Sequence, residues 1–250
     1  MRSTTRHQLK QNTFAETTVE TLSWAKEHEK QLTAAGIVVA IIALLAIGVY
    51  AFLNYRNQQA SQELAGALQK YNAPVRPAGE PASPLELSYA TSAERAKAAN
   101  ADFTRIADKY SFTRNGRIAR YFEGITFHDM GDDAAAEKQL QEVSKSWDKQ
   151  IGSLAKLALA SIYQDTGKNQ QAIDLYKALI EQPTTTVGKS TAQFELANLY
   201  ENNHQPLEAI KIYEQMQKDS PTSAVGQLAA QRLQSLRPPQ MMQPQPAMPR

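Results

Sequence analysis

The densest grouping of residues able to hold a metal or move a proton is His128, Asp129, Asp132 and Asp133. Carboxylates and an imidazole at such short spacing suit a divalent cation. The same run also reads as a turn and a helix start, with Asp132 or Asp133 accepting from the free N–H groups of the first turn. That second reading needs no ion, and the sequence predicts no metal and no cofactor. The other histidines, His7, His28 and His204, are scattered. No complete Gly-x-x-x-x-Gly-Lys-Ser/Thr phosphate loop occurs, nor Gly-x-Ser-x-Gly, nor His-Glu-x-x-His. The 27 Lys and Arg against 25 Asp and Glu leave a net charge of +2, which supplies no field for nucleic acid. The chain is predicted not to be an enzyme and to have no small-molecule substrate, so its function is sought in protein partners.

The elements that would present a partner surface repeat along the chain. Leu159, Ala160, Tyr163, Ala172, Tyr176 and Pro183 are echoed by Leu196, Ala197, Tyr200, Ala209, Tyr213 and Pro221, an offset of 37 residues through the helical cores. A third copy, Gly124, Phe127, Gly131, Ala136, Leu140 and Val143, lies 36 residues earlier. A half-length echo, Ala99, Phe103 and Ile106, precedes it, and its first helix is hard to find. Small residues let two helix backbones approach, and the large ones fill the space beside them. Gly167 stands where a helix must end, in a position suited to the left-handed conformation.

This pattern resembles tetratricopeptide repeats, stacked helix pairs that bury a shared core. It departs from them in carrying His204 where Gly is preferred, in a spacing above the usual 34, and in lacking the early Trp. The resemblance implies an all-α helical solenoid whose first helices line a groove. Carried onto this chain, the groove positions are Ile118, Tyr121, Ile125 and His128, then Leu154, Leu157, Ser161 and Gln164, then Thr191, Phe194, Asn198 and Glu201. The lysines with which related clamps grip chaperone tails are missing. Tyr121, Leu157 and Phe194 are therefore the expected anchors for an extended or helical apolar segment. The competing reading is that some of these side chains pack against the next repeat.

No charged residue occurs between Lys30 and Arg56. Residues 34–53 are almost wholly apolar and, as a helix, reach roughly the 30 Å of a bilayer core. A cleavable signal peptide has a shorter apolar region close to the amino terminus, whereas about 30 residues precede this one, so an uncleaved anchor is expected. Arg2, Arg6, Lys10, Lys26 and Lys30 precede the span and only Arg56 and Lys70 follow closely, which predicts a cytoplasmic amino terminus. The repeats then lie outside the cytoplasmic membrane, and the absence of cysteine fits an oxidising compartment.

The expected organisation is a cytoplasmic segment over 1–33, the span over 34–53, a helical stalk and Pro-rich linker over 54–95, the repeats over 96–236 and a Pro/Gln/Met tail over 237–250. Within the first segment Phe14, Leu22 and Trp24 belong to a short amphipathic helix, read either as a cytoplasmic docking helix or as an interfacial helix beside the membrane. Residues 73–84 carry four prolines and are a linker or a loop interrupting the first repeat.

The layout, together with residues 24–32 (Trp-Ala-Lys-Glu-His-Glu-Lys-Gln-Leu) directly before the span, resembles the YfgM-like ancillary subunits of the Sec translocon. That resemblance implies a single-pass inner-membrane protein with a periplasmic repeat domain, whose partners are Sec translocon subunits and a periplasmic chaperone. An envelope-assembly or cell-division scaffold, and an anchored regulator acting through its cytoplasmic segment, are the alternatives.

Overall fold

The structure, a computed structural model, describes Trp24, Lys26, residues 28–81, Ser83 and residues 85–236. The expected amphipathic helix around Phe14 and Leu22, and the Pro/Gln/Met tail, lie outside the described residues. Among the described residues there are nine α-helices and no strand beyond one isolated bridge, Val75 with Tyr89. They are α1 (Glu29–Tyr71), α2 (Ser92–Lys109), α3 (Arg114–Asp129), α4 (Asp133–Ser144), α5 (Lys149–Asp165), α6 (Asn169–Glu181), α7 (Lys189–Asn202), α8 (Pro206–Asp219) and α9 (Ala224–Leu236). The chain divides into two compact units, Met1–Tyr55 and Arg56–Arg250.

The first unit holds the amino-terminal part of α1. This helix is long and apolar enough to cross a membrane, and none of its most apolar stretch is covered by other residues. Ile42, Leu44, Leu45 and Phe52 are all exposed. Trp24 stacks on His28 with ring centroids 4.8 Å apart and remains exposed.

In the second unit each repeat is a pair of antiparallel helices, and one spacing governs all of the first helices. Ala119, Ala155 and Ala192 are buried, and each is followed four and seven residues later by a further buried residue: Glu123 and Thr126, Leu159 and Ile162, Leu196 and Leu199. Ala60, Leu64 and Ala67 of α1 keep the same spacing and the same burial. They pack with Phe103 and Ile106 of α2, with Tyr110 just beyond its end and with Ala119 of α3. Residues 56–71, expected as a stalk, are thus the first helix of the first repeat, and the packed region extends well before residue 96. Ala229 and Leu233 of α9 continue the register at the other end, so α9 is a first helix, unpaired among the described residues, that packs on Ala209, Tyr213 and Met216.

The second helices follow the same logic. Ala99, Ala136, Ala172 and Ala209 are fully buried, as are Phe103, Leu140, Tyr176 and Tyr213 one turn later, to within 1%. The Pro-rich stretch is a loop inside the first repeat: Arg76 N–H donates to the Tyr89 carbonyl at 2.8 Å and Tyr89 N–H to the Pro74 carbonyl at 3.0 Å, pinching its base. The Arg76 guanidinium adds a bond to the Ser88 carbonyl at 3.0 Å.

Caps set the helix ends. Thr91 accepts from Glu94 N–H, Thr113 from Gly116 N–H, and Asp148 from the N–H groups of Gln150 and Ile151. Pro206 starts α8, where its missing N–H costs nothing. Gly131, Gly167 and His204 each end a first helix with positive φ, at 82°, 75° and 58°. Only the last bears a side chain that the left-handed region disfavours.

Candidate partner-binding groove

The residues with apparent chemical potential are occupied by the fold. Asp132 caps α4, its Oδ1 accepting from Ala135 N–H at 3.0 Å. His128 Nδ1 lies 2.7 Å from Asp133 Oδ1, and Asp129 accepts from the Tyr71 hydroxyl at 3.0 Å. Among the described residues no group of three or more His, Cys, Asp or Glu side chains is arranged to hold a metal. Gly188-Lys189-Ser190 opens α7, and Lys189 is engaged by Asp219 at 3.0 Å rather than by a phosphate cradle.

The groove positions fall on three successive first helices, α3, α5 and α7. All nine of Ile118, Tyr121, Ile125, Leu154, Leu157, Gln164, Phe194, Asn198 and Glu201 are half-buried. That state suits a binding floor: each side chain is fixed on one side by its own fold and open on the other. Ile118, Tyr121, Ile125, Leu154 and Leu157 rest on the margin of the central core. Phe194 rests on the carboxyl-terminal core with its ring 6.1 Å from that of Tyr213. The helices come this close because of the small residues beside the groove. A Cβ added at Gly124 would stand 2.7 Å from Leu140 Cγ, and the equivalent Ala160 and Ala197 are fully buried.

Electrostatics differ between the two ends of this surface. Near its start Tyr71, Phe103, Phe122 and Tyr121 form one aromatic cluster, with Phe103 and Phe122 stacked at 5.3 Å and Tyr121 edge-on to Phe122 at 5.2 Å. Burial, then the Asp129 carboxylate, pushes the Tyr71 hydroxyl up to about 12, so it is a permanent donor. Burial likewise pushes Tyr121 up. Near its end the Tyr213 hydroxyl lies 2.6 Å from Glu201 Oε1 and 3.1 Å from Asn198 Oδ1. One hydroxyl proton serves two acceptors, which leaves acceptor capacity on this part of the surface for a partner's N–H groups. Burial and the Glu201 carboxylate both raise Tyr213 well above the usual tyrosine range.

The candidate groove positions are legible in the sequence, but these supports are not. Tyr71 belongs to α1, where the repeat's signal lies only in the spacing of Ala60, Leu64 and Ala67. The Tyr213 contacts had no sequence signal, since Tyr at that place is also a core residue.

Two solved structures resemble the chain: a Podosopora anserina protein described as a kinesin light chain with nearly identical TPR-like repeats, and a point variant of it. The first is 15% identical over 74% of this chain and 84% of the other, with a TM-score of 0.49. The variant has the same identity and coverage with a TM-score of 0.48. No curated protein matches the chain. A sequence model of the tetratricopeptide repeat-like domain matches residues 22–182, well over half of the chain and inclusive of the apolar helix. The buried small-residue register of α1 to α6 lies within this match, and the chain belongs to the tetratricopeptide repeat-like domain family.

Proposed function

We propose that the chain is a non-enzymatic, membrane-anchored interaction module that serves as an accessory of the Sec translocon and links emerging polypeptides to periplasmic chaperones. The observation that carries this reading is that one continuous helix, α1, holds both an apolar segment long enough to cross a membrane and the first helix of the first repeat. A binding surface attached in that way stays concentrated beside whatever leaves the same membrane. The half-buried apolar floor of Tyr121, Leu154, Leu157 and Phe194, without clamp lysines, favours extended or amphipathic apolar segments over acidic tails. The basic residues before the span favour an inner-membrane protein with a cytoplasmic amino terminus and periplasmic repeats.

Site-specific photocrosslinkers at Leu22 and Phe194 in living cells test this. Translocon subunits and secreted chains are expected among the products. Absence of both from both positions, with the protein at its normal level, overturns the reading. Orientation has a separate check: protease added outside the inner membrane of spheroplasts should degrade residues 96–237.

A further inference from the structure

Four loops join the second helix of one repeat to the first helix of the next, at 110–113, 145–148, 182–188 and 220–223. Phe112 in the first is 84% exposed and Trp147 in the second is 79% exposed. The third loop carries threonines instead, and Thr185 and Thr186 are turned back onto Gln150. The two aromatic loops are neighbours. Arg114 Nε donates to Asp148 Oδ2 at 3.0 Å, and one depression is bounded by Ser111 and Arg117 on one side and by Lys145 and Trp147 on the other. Arg114, Arg117, Lys145 and Lys149 stand around them; Arg114 pairs with Asp148, Arg117 lies 4.5 Å from the centre of the Trp147 ring, and Glu142 lines the same depression.

The first of these loops is tied to the start of the second unit. The Arg56 guanidinium donates to the Lys109 carbonyl and lies 4.6 Å from the centre of the Tyr110 ring. Asn57 accepts from Asn115 N–H through its Oδ1 and from the Asn115 side chain through its carbonyl, both at 3.0 Å. Phe112 is therefore bracketed by residues bound to positions 56 and 57. Position 56 is three residues beyond the apolar run that ends at 53, no more than about 11 Å of chain.

We propose that loops 110–113 and 145–148 form a membrane-contact edge, with Phe112 and Trp147 entering the interfacial layer of the leaflet from which α1 emerges and Lys145 and Lys149 meeting anionic phospholipid headgroups. The proposal rests on the reading of residues 34–53 as a span. Aromatic side chains favour that layer because it takes their apolar bodies without burying charge, and basic residues gain from anionic headgroups within a Debye length.

The test uses the full chain with Trp24→Phe, which leaves Trp147 as the sole tryptophan, reconstituted in vesicles of phosphatidylcholine and phosphatidylglycerol. Trp147 emission is expected to shift to the blue, to lose most of its intensity when the acyl chains are brominated, and to resist aqueous iodide. A second reporter, Phe112→Trp with Trp24→Phe and Trp147→Phe, is expected to behave alike. Emission typical of water from both reporters, quenched by iodide and indifferent to bromolipid, overturns the proposal. Alkaline carbonate checks the span separately: retention of the chain in the vesicles supports it, and release overturns the span and this proposal together.

Discussion

Glu63 of α1 accepts from the Tyr110 hydroxyl and from Lys109 Nζ on the same oxygen, Oε1, each at 2.7 Å, while Arg105 pairs with its other oxygen. One carboxylate of the helix that leaves the apolar segment is thus gripped by Arg105 and Lys109 of α2 and by Tyr110 just beyond it, beside the apolar contacts of Ala60, Leu64 and Ala67.

Those partners, Lys109 first and Tyr110 next, hold the Glu63 carboxyl at about 2 instead of 4.5. Because the folded value is depressed, its stabilising effect is complete above pH 4.5 and is lost as pH falls from 4.5 towards 2. Proteolysis or hydrogen exchange of residues 56–71 should therefore rise over that range in the parent chain. Glu63→Gln should show the exposed behaviour already at neutral pH and a flatter response to acid.

Glu123 occupies the position that holds Leu159 and Leu196 in later repeats, and it is 3% exposed. Its Oε1 accepts from Thr104 at 3.1 Å, but Oε2 has no hydrogen-bond partner and Arg120 stands 3.7 Å away. Burial outweighs these contacts and raises its pKa. A raised acid costs stability once pH exceeds the unfolded value and costs nothing below it. Glu123→Gln should accordingly stabilise the repeat domain at neutral pH by about 1 kcal/mol, a gain that fades on acidification, as read by urea denaturation at several pH values.

Gly124 faces the branched Cγ of Leu140, which has no room to retreat because Leu140 is fully buried. Gly124→Ala should improve helix propensity yet lower stability by about 1 to 3 kcal/mol through overpacking, measured as a drop in the urea midpoint. Adding Leu140→Ala should recover part of that loss.

His204 sits at φ 58° in the turn where the two earlier repeats have glycine. Its backbone bonds are those of the glycine turns, with Gln205 N–H donating to the Tyr200 carbonyl at 2.8 Å. His204→Gly should raise stability by about 1 kcal/mol, detectable as a higher Tm, since the strained conformation is kept and the Cβ penalty removed.

Much of this architecture was legible because the repeat writes its core into spacing. Ala172 and Ala209, Tyr176 and Tyr213, and Gly131 and Gly167 each declare a local requirement, whether close approach, a filled void or a reversed turn. The first repeat was harder to read, since Ala60 and Ala99 are 39 positions apart where Ala119 and Ala136 are 17. The Pro-rich loop interrupts the period, and no local rule connects its two ends. The candidate groove is legible only as positions: Asn198 and Glu201 both lie within hydrogen-bond distance of the Tyr213 hydroxyl, a contact set by distances across α7 and α8.

The sequence by itself determined that this chain is a helical repeat behind an apolar segment, because helix periodicity, small-residue contacts and an uncharged run of 25 residues are local properties of the residue order. Only the tertiary structure decided that the apolar helix continues into the first repeat and that Phe112 and Trp147 share an edge near Arg56. Both are consequences of packing between segments far apart in the chain, where burial and hydrogen bonds across α1, α2 and α3 select one arrangement from many with the same local pattern.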